Sequence, residues 1–355
     1  MKKSFRYIAL SLAFLLGINA PQAFAGNEDR SGQAGCAELL INPWAASSGW
    51  GNAGMSFVKG TEAIWGNVAG ISGITSLDVN FSHTDWLAGS DIKISSFGLL
   101  ARVGESSVLG LSFMSFNIGE IMETTVEAPD GGIGTFEPNL MNINLAFAKT
   151  FSNSISGGFN LKIISESIAN MGATGVALDA GIQYVTGPFD NVHFGITLKN
   201  IGPTMKFSGD GLSFKAFLQT GTSLQHTIIQ RADQFELPTQ LSIAAAYDFH
   251  FEMSRLTLAG NFISNSFTKD QIVAGVEYAW REYFLLRAGY TFEKGIFGGI
   301  EDEECMNLNR GLSAGCSFQI PISKKEDAPK FAVDYSFRQT YNYSGTHSVG
   351  ARLIF

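Results

Sequence analysis

Apolar and polar residues alternate with a period of two along most of this chain. Leu241, Ile243, Ala245, Tyr247 and Phe249 interleave with Ser242, Ala244, Ala246 and Asp248. Ile272, Ala274, Val276, Tyr278 and Trp280 interleave with Gln271, Gly275 and Glu277, and Phe331, Val333, Tyr335 and Phe337 with Asp334, Ser336 and Arg338. This is the period of a strand whose two faces meet different surroundings. Fourteen segments carry it: 76–86, 93–103, 106–118, 138–151, 153–166, 173–187, 191–201, 236–249, 254–265, 271–280, 283–293, 309–321, 330–340 and 346–355. In the last, Val349, Ala351, Leu353 and Phe355 share one face and Ser348, Gly350 and Arg352 the other. An apolar face ending on a terminal aromatic residue is how the closing strand of an outer-membrane barrel looks, so these four read as a barrel-assembly signal. In hydrocarbon every backbone N–H and C=O needs an internal partner, and a spanning sheet must therefore close on itself. The predicted fold is all-β, an antiparallel transmembrane β-barrel of fourteen strands occupying residues 76–355.

Connection lengths agree with that count. After even-numbered segments the chain turns within a few residues, as at Ser152 and Arg281-Glu282, with 322–329 the longer exception. After odd-numbered segments the connections 119–137, 202–235 and 294–308 are long. Short periplasmic turns and long outer loops are the usual asymmetry of such barrels, and an even strand count puts both termini in the periplasm.

Residues 1–25 read as a secretory signal: Lys2, Lys3 and Arg6, then an apolar run from Ile8 to Ile18, then Ala23-Phe24-Ala25 before the cut. The run is too short for a membrane helix, which needs about 20 residues. A lipoprotein reading of Gln33-Ala34-Gly35-Cys36 is weak, because the usual leucine is missing and the cysteine lies far beyond the apolar run. Only 16% of residues are charged, against about 25% in soluble domains, while 40 glycines and 29 phenylalanines suit barrel strands and aromatic girdles. The net charge of −8 offers no basic face for nucleic acid. Cys305 and Cys316 could pair in an exported chain. Yet Cys316 shares a face with Leu312, Ala314, Phe318 and Ile320, and reads better as a small hydrophobic residue toward lipid.

On the faces opposite the apolar stripe stand Asp179, Asp248, Glu277 and Asp334 with Arg102, Lys162, Lys199, Arg255, Arg287, Arg338 and Arg352. Charges of both signs in a lumen must pair or keep water, and a structural network is the favoured reading. Residues 26–75 break the alternation. They are apolar and rich in glycine and small residues, which suits a tightly packed hatch inside the barrel better than an exposed leader.

Gly51-Asn52-Ala53-Gly54-Met55 and Glu62-Ala63-Ile64-Trp65-Gly66-Asn67-Val68-Ala69-Gly70 resemble the amino-terminal signature of the PorV/PorQ family, which is related to the FadL fatty-acid transporters. Leu237-Pro238-Thr239-Gln240-Leu241, Leu286-Arg287-Ala288-Gly289-Tyr290 and Val333-Asp334-Tyr335 extend the likeness over nearly the whole mature chain. Gly66, Asn67, Ala69 and Gly70 match the family's hatch motif, although Val68 stands where those proteins usually carry proline. The resemblance implies a FadL-like barrel with an internal hatch and a place in the type IX secretion system of Bacteroidota. It also implies partners: the translocon barrel, secreted proteins with carboxy-terminal signal domains, and a surface attachment complex.

The expected role is therefore a non-enzymatic secretion component set in outer-membrane lipid. Phe207, Phe214, Phe217, Leu218 and Phe235 of the longest loop form a candidate partner surface or a lid over the lumen. A FadL-like transporter of hydrophobic small molecules is the alternative. It would need a greasy pocket near Trp44, Trp50 and Trp65 and a gap in the wall, for which Gly157-Gly158 and Gly298-Gly299 are weak candidates. The histidines, His83, His193, His226, His250 and His347, are scattered, and no nucleophile motif or metal-ligand spacing joins them. Neither catalysis nor a cofactor or metal is expected.

Overall fold

The computed structural model describes residues 26–217, 225–297, 307–323 and 328–355; the signal segment, Leu218, Gly298-Gly299 and Cys305 lie outside them. Fourteen antiparallel strands close into a barrel. They are β1 (Leu77–Trp86), β2 (Ile92–Val103), β3 (Ser107–Asn117), β4 (Asn139–Thr150), β5 (Ile155–Ile168), β6 (Met171–Thr186), β7 (Val192–Ile201), β8 (Gln240–His250), β9 (Ser254–Asn265), β10 (Gln271–Trp280), β11 (Phe284–Glu293), β12 (Asn309–Pro321), β13 (Lys330–Thr340) and β14 (Thr346–Ile354). Each pairs with its sequence neighbours, and β14 returns to β1 through a register that sets Val349 opposite His83 and Leu353 opposite Val79. Phe355 completes the seam, its N–H donating to Leu77 O and its carbonyl accepting from Ser76.

The burial pattern is that of a soluble protein turned inside out. On β1, Asp78, Asn80, Ser82 and Thr84 are buried toward the lumen, while Phe81 is 50% exposed on the outside. On β6, Asp179 and Gln183 are buried and Val176, Leu178, Ile182 and Tyr184 are exposed. Cys316 takes the outward phase beside Leu312 and Phe318, as its spacing predicts. No helix among the described residues is long and apolar enough to cross a membrane.

The alternation finds every strand, and β8 is where the boundary moves most, starting at Gln240 rather than 236. Residues 236–239 are drawn away from the wall. Leu237 is buried with Cys36 and Met205, Gly35 donates to Glu236 O, and Asn200 donates to Pro238 O at 3.0 Å. The long loops all leave the end opposite the carboxy-terminus, and they carry short ribbons, among them Ser213–Phe217 paired with Gln225–Ile229. The first described residues lie at that same loop end, with Gly26 against Thr268 and Asp270 and Arg30 on Glu236. The two ends of the described chain therefore sit at opposite mouths of the barrel, not both at the tight-turn end as the even strand count suggested, because the hatch threads the lumen before β1 begins.

Residues 26–76 form a string of short 3-10 turns, with one α-helical turn at Ala45–Ser48, running through the barrel. They touch the wall around its circumference: Ala45–Ser48 meets β12, β13 and β14, Ala53–Ser56 meets β7 to β10, and Val68–Gly73 meets β3 to β6. Ala63, Ile64, Val68, Ile71 and Ile74 pack on Leu100, Val108, Ala146 and Ala148, while Trp50 and Ala53 pack on Ala246, Ala259, Ile263 and Val273. Val68 thus contributes a buried side chain. Close approach is bought with glycine on the inner wall. A Cβ on Gly289 would lie 2.2 Å from Trp50 O, and one on Gly195 would lie 2.7 Å from Ser56 Cα.

Gly289→Ala is therefore expected to push the hatch off the wall at Trp50, costing about 1–3 kcal/mol. Protease cleavage of the hatch should accelerate and Trp50 fluorescence should shift red while the barrel still migrates as a folded, heat-modifiable species. Gly260→Ala, whose Cβ has no neighbour closer than 3.9 Å, should leave both readouts unchanged.

Candidate functional site

The lumen is organised by charges that alternate in sign from strand to strand. Asp248 on β8 faces Arg255 on β9 at 3.7 Å, and Arg255 reaches Glu277 on β10 at 2.9 Å. Glu277 accepts from Arg287 on β11 at 2.6 Å, and Arg287 donates to Ser317 on β12 at 2.5 Å. Ser317 donates in turn to Asp334 on β13, which Arg352 on β14 clamps with two bonds of 2.6 and 2.8 Å. Period-two phasing places each of these groups inward, and strand register places each beside its opposite. Elsewhere Lys162 meets Asp179 at 2.8 Å, and Arg102 donates to Ser72 O and Ile74 O, pinning the end of the hatch.

The hatch motif has a mechanical place. Asn67 Oδ1 accepts from Ala69 N at 3.2 Å, opening the turn Val68–Gly73, and Asn67 Nδ2 donates to Met55 O at 3.2 Å and to Ile182 O on β6 at 3.0 Å. Gly70 lies so close to Val58 O that a Cβ would sit 1.9 Å from it, and Ala69 is fully buried. Gly66 donates to Glu62 O, continuing the preceding turn. Glu62 lies near Arg352 and Asp334; burial, the largest influence, pushes its carboxyl up, and the Arg352 guanidinium opposes that push.

Cavities lie on both sides of the hatch. One of about 750 Å³ opens toward the tight turns and the carboxy-terminus, lined by charged groups including Lys59, Glu62, Asp248, Arg255 and Arg352 along with Trp50. A second, of about 350 Å³, lies toward the loops beside Trp86 and Arg338. Trp65 and Asn52 border both. Trp65 is held by its indole N–H on Leu39 O at 3.2 Å and by the Lys199 ammonium 3.6 Å above the ring centroid. Trp44 is buried against Met55 and Trp65 rather than lining either space.

A third cavity, of about 580 Å³, sits at the loop end and is mostly apolar, lined by Ile118, Ile121, Leu140, Ile168, Phe207 and Phe235 together with Cys36 and Glu166. Here the loop phenylalanines divide. Phe207 and Phe235 meet with tilted rings, centroids 5.7 Å apart, and cover the cluster of Cys36, Met205 and Leu237. Phe214 and Phe217, by contrast, are 50% and 63% exposed on the ribbon, with Ile229 71% exposed beside them. The loop is thus divided: Phe207 and Phe235 turn inward over the cluster, and Phe214 and Phe217 turn outward. Val349, Ala351, Leu353 and Phe355 lie along the closing seam.

Two groupings were not legible in the sequence. His193 meets Asp248 at 3.0 Å across β7 and β8, while His83, His226 and His347 remain apart, with His83 on Ser95 and His347 on Tyr335. Cys36, Glu38 and Glu166 bring ligand atoms within 4.8 Å of one another. Burial, then the Glu38 and Glu166 carboxylates, push the Cys36 thiol up, and burial with Glu166 pushes Glu38 up to about 7. Gly157 and Gly158 pair in register with both neighbouring strands and leave no gap in the wall.

Compared with known proteins, residues 68–338 match the family described as type IX secretion system membrane protein PorP/SprF. The sequence resemblance named PorV/PorQ; the secretion system is common to both. No curated protein matches. Among solved structures, the CymD monoaromatic hydrocarbon channel is similar at a TM-score of 0.51 and 12% identity, over 88% of this chain and 96% of that one. The Pseudomonas putida toluene transporter TodX is similar at 0.51 and 13%, over 88% and 97%. At such identities the likeness is one of fold alone.

Because Asp334 is 1% exposed, Arg352→Gln strands a buried carboxylate, an expected loss of about 3–5 kcal/mol. In detergent, the temperature at which the folded band converts to the unfolded one should drop sharply. Glu62→Gln, at a carboxyl already disfavoured as an anion by burial, should move it little.

Proposed function

The chain belongs to the type IX secretion system membrane protein PorP/SprF family, and from that premise we propose that it is a non-enzymatic outer-membrane barrel that holds secretion partners through its loop end. In this reading the carboxy-terminus and tight turns face the periplasm, and the long loops face outward together with the start of the hatch at Gly26. The reading is PorV-like in its finer form: the loops capture the signal domain of a secreted protein or a face of the translocon barrel, and the client passes on to the surface attachment machinery.

The observation that carries it is the ribbon Ser213–Phe217/Gln225–Ile229. Phe214, Phe217 and Ile229 are held out of the barrel on a paired backbone, while the neighbouring Phe207 and Phe235 are tucked in. Exposed apolar groups on an ordered support are what a protein interface uses. The lumen speaks the same way: a hatch hydrogen-bonded to the wall occupies it, and its larger cavity is lined with charge.

A second reading, uptake of hydrophobic small molecules, draws on the apolar cavity of about 580 Å³ at the loop end. That cavity abuts the buried cluster of Cys36, Leu39 and Ile164, and the wall beside it is paired.

Replacing residues 213–229 with a short Gly-Ser turn should abolish copurification of secreted clients or translocon while leaving the barrel heat-modifiable. Phe214→Ala with Phe217→Ala should weaken capture by about 2 kcal/mol, roughly thirty-fold, if the pair anchors the interface. Undiminished capture in both variants would remove the ribbon from the interface. Copurified fatty acid or arene displaced by Leu140→Trp, with no protein companion, would favour uptake.

A further inference from the structure

Cys36 and Glu38 project from the first turns of the hatch, and Glu166 comes from the loop end of β5. The three are 3%, 4% and 8% exposed. One ligand atom from each lies within 4.8 Å of the others, and the Met205 thioether is 3.6 Å from the Cys36 sulfur. Two buried carboxylates therefore face each other beside a thiol. Among the described residues no ion pair reaches either of them. Lys162, which shares a cavity wall with Glu38, is committed to Asp179 at 2.8 Å and Asn200 at 2.6 Å. Glu38 Oε1 is buried with no hydrogen-bond partner. An acidic pair with no cation beside it is costly when buried, and Asp179, Asp248, Glu277 and Asp334 elsewhere in the lumen each have a basic partner.

We propose that Cys36, Glu38 and Glu166 form a binding site for a divalent cation of the zinc class, with Met205 at its margin. A thiol with a thioether neighbour selects against calcium and magnesium, which take all-oxygen sets, and the two carboxylates suit zinc or cobalt better than a monovalent soft ion. On binding, the thiol proton leaves to solvent and the thiolate joins two carboxylates, so the cation's two positive charges offset most of three negative ones. The site ties hatch to wall, because two ligands belong to the hatch and the third to β5. It also borders the apolar cavity of about 580 Å³, whose lining includes Cys36 and Glu166, so a water or a ligand entering from the loops can reach the metal. Nothing in the proposed partner-binding role requires this site, and the two stand independently.

The test uses the full mature chain in detergent, stripped with chelator and dialysed against Zn²⁺ or Co²⁺. Uptake near one ion per chain, with a near-ultraviolet thiolate-to-cobalt absorption band, is expected. Cys36→Ser should abolish the band. Glu38→Gln and Glu166→Gln, close to isosteric and so expected to fold, should weaken Zn²⁺ binding by more than the roughly tenfold that loss of a supporting group costs. Heat-modifiable migration monitors the fold of each variant. A wild-type chain that retains no metal after dialysis would overturn the proposal, since the carboxylates would then be held by protons alone. Binding that survives in Glu38→Gln and Glu166→Gln would overturn it equally, by placing the ion elsewhere.

Discussion

The rest of this structure hangs on one constraint: a wall of β1 to β14 can cross hydrocarbon only if its hydrogen bonds run unbroken from β14 back to β1. Closure fixes which phase of every strand faces inward. The outward phase must be apolar, so the polar residues, charges included, are driven into the lumen. A lumen furnished this way cannot stay empty of partners. The alternation of Asp248, Arg255, Glu277, Arg287, Asp334 and Arg352 around one half of the wall follows from that pressure, since each ion is desolvated by the barrel and rescued by the strand beside it.

The hatch resolves the remaining half. Its backbone is made of short turns that leave many N–H and C=O groups unpaired, and the inner wall supplies side chains to meet them: Gln183 on Val58 O, Asn261 on Asn52 O and Arg102 on Ile74 O, while Asn67 of the hatch itself donates to Met55 O. Apolar hatch residues find the few inward positions where the wall is also apolar, such as Leu100 and Val108. The glycines on the inner phase, Gly195 and Gly289 among them, let hatch backbone and wall backbone approach within a distance that any side chain would forbid. Sequence and packing therefore specify one seating for the hatch.

What the sequence made legible is what depends on local period. Strand phase is written in every second residue, so the wall, its lumenal charges and the lipid-facing position of Cys316 could be read directly. The hatch was visible as an interruption of that period, but its turns were not, because 3-10 segments built on Gly and Ser carry no repeating signature. Residues 236–239 alternate like a strand yet leave the wall, since Leu237 is better buried with Cys36 and Met205 than exposed at the barrel rim. The groupings His193 with Asp248, and Cys36 with Glu38 and Glu166, needed strand register and hatch path together. Their members stand far apart in the chain, and no spacing rule connects them.

Polarity also bears on what can move through the molecule. The apolar cavity of Ile118, Leu140 and Phe235 shares no lining with the other two, and a greasy solute leaving it would have to cross the hatch, where Trp65 and Asn52 border the charged cavity. Trp65 is clamped from two sides, by Leu39 O and by the Lys199 ammonium; displacing it would leave a buried cation without the ring that faces it. Such a solute would lose its solvation where the route narrows. A folded protein bound at the loops faces no such obstacle, since its recognition is complete at the exposed ribbon. The arrangement of charge behind the hatch and exposed apolar groups in front of it thus weighs toward a docking platform over a conduit.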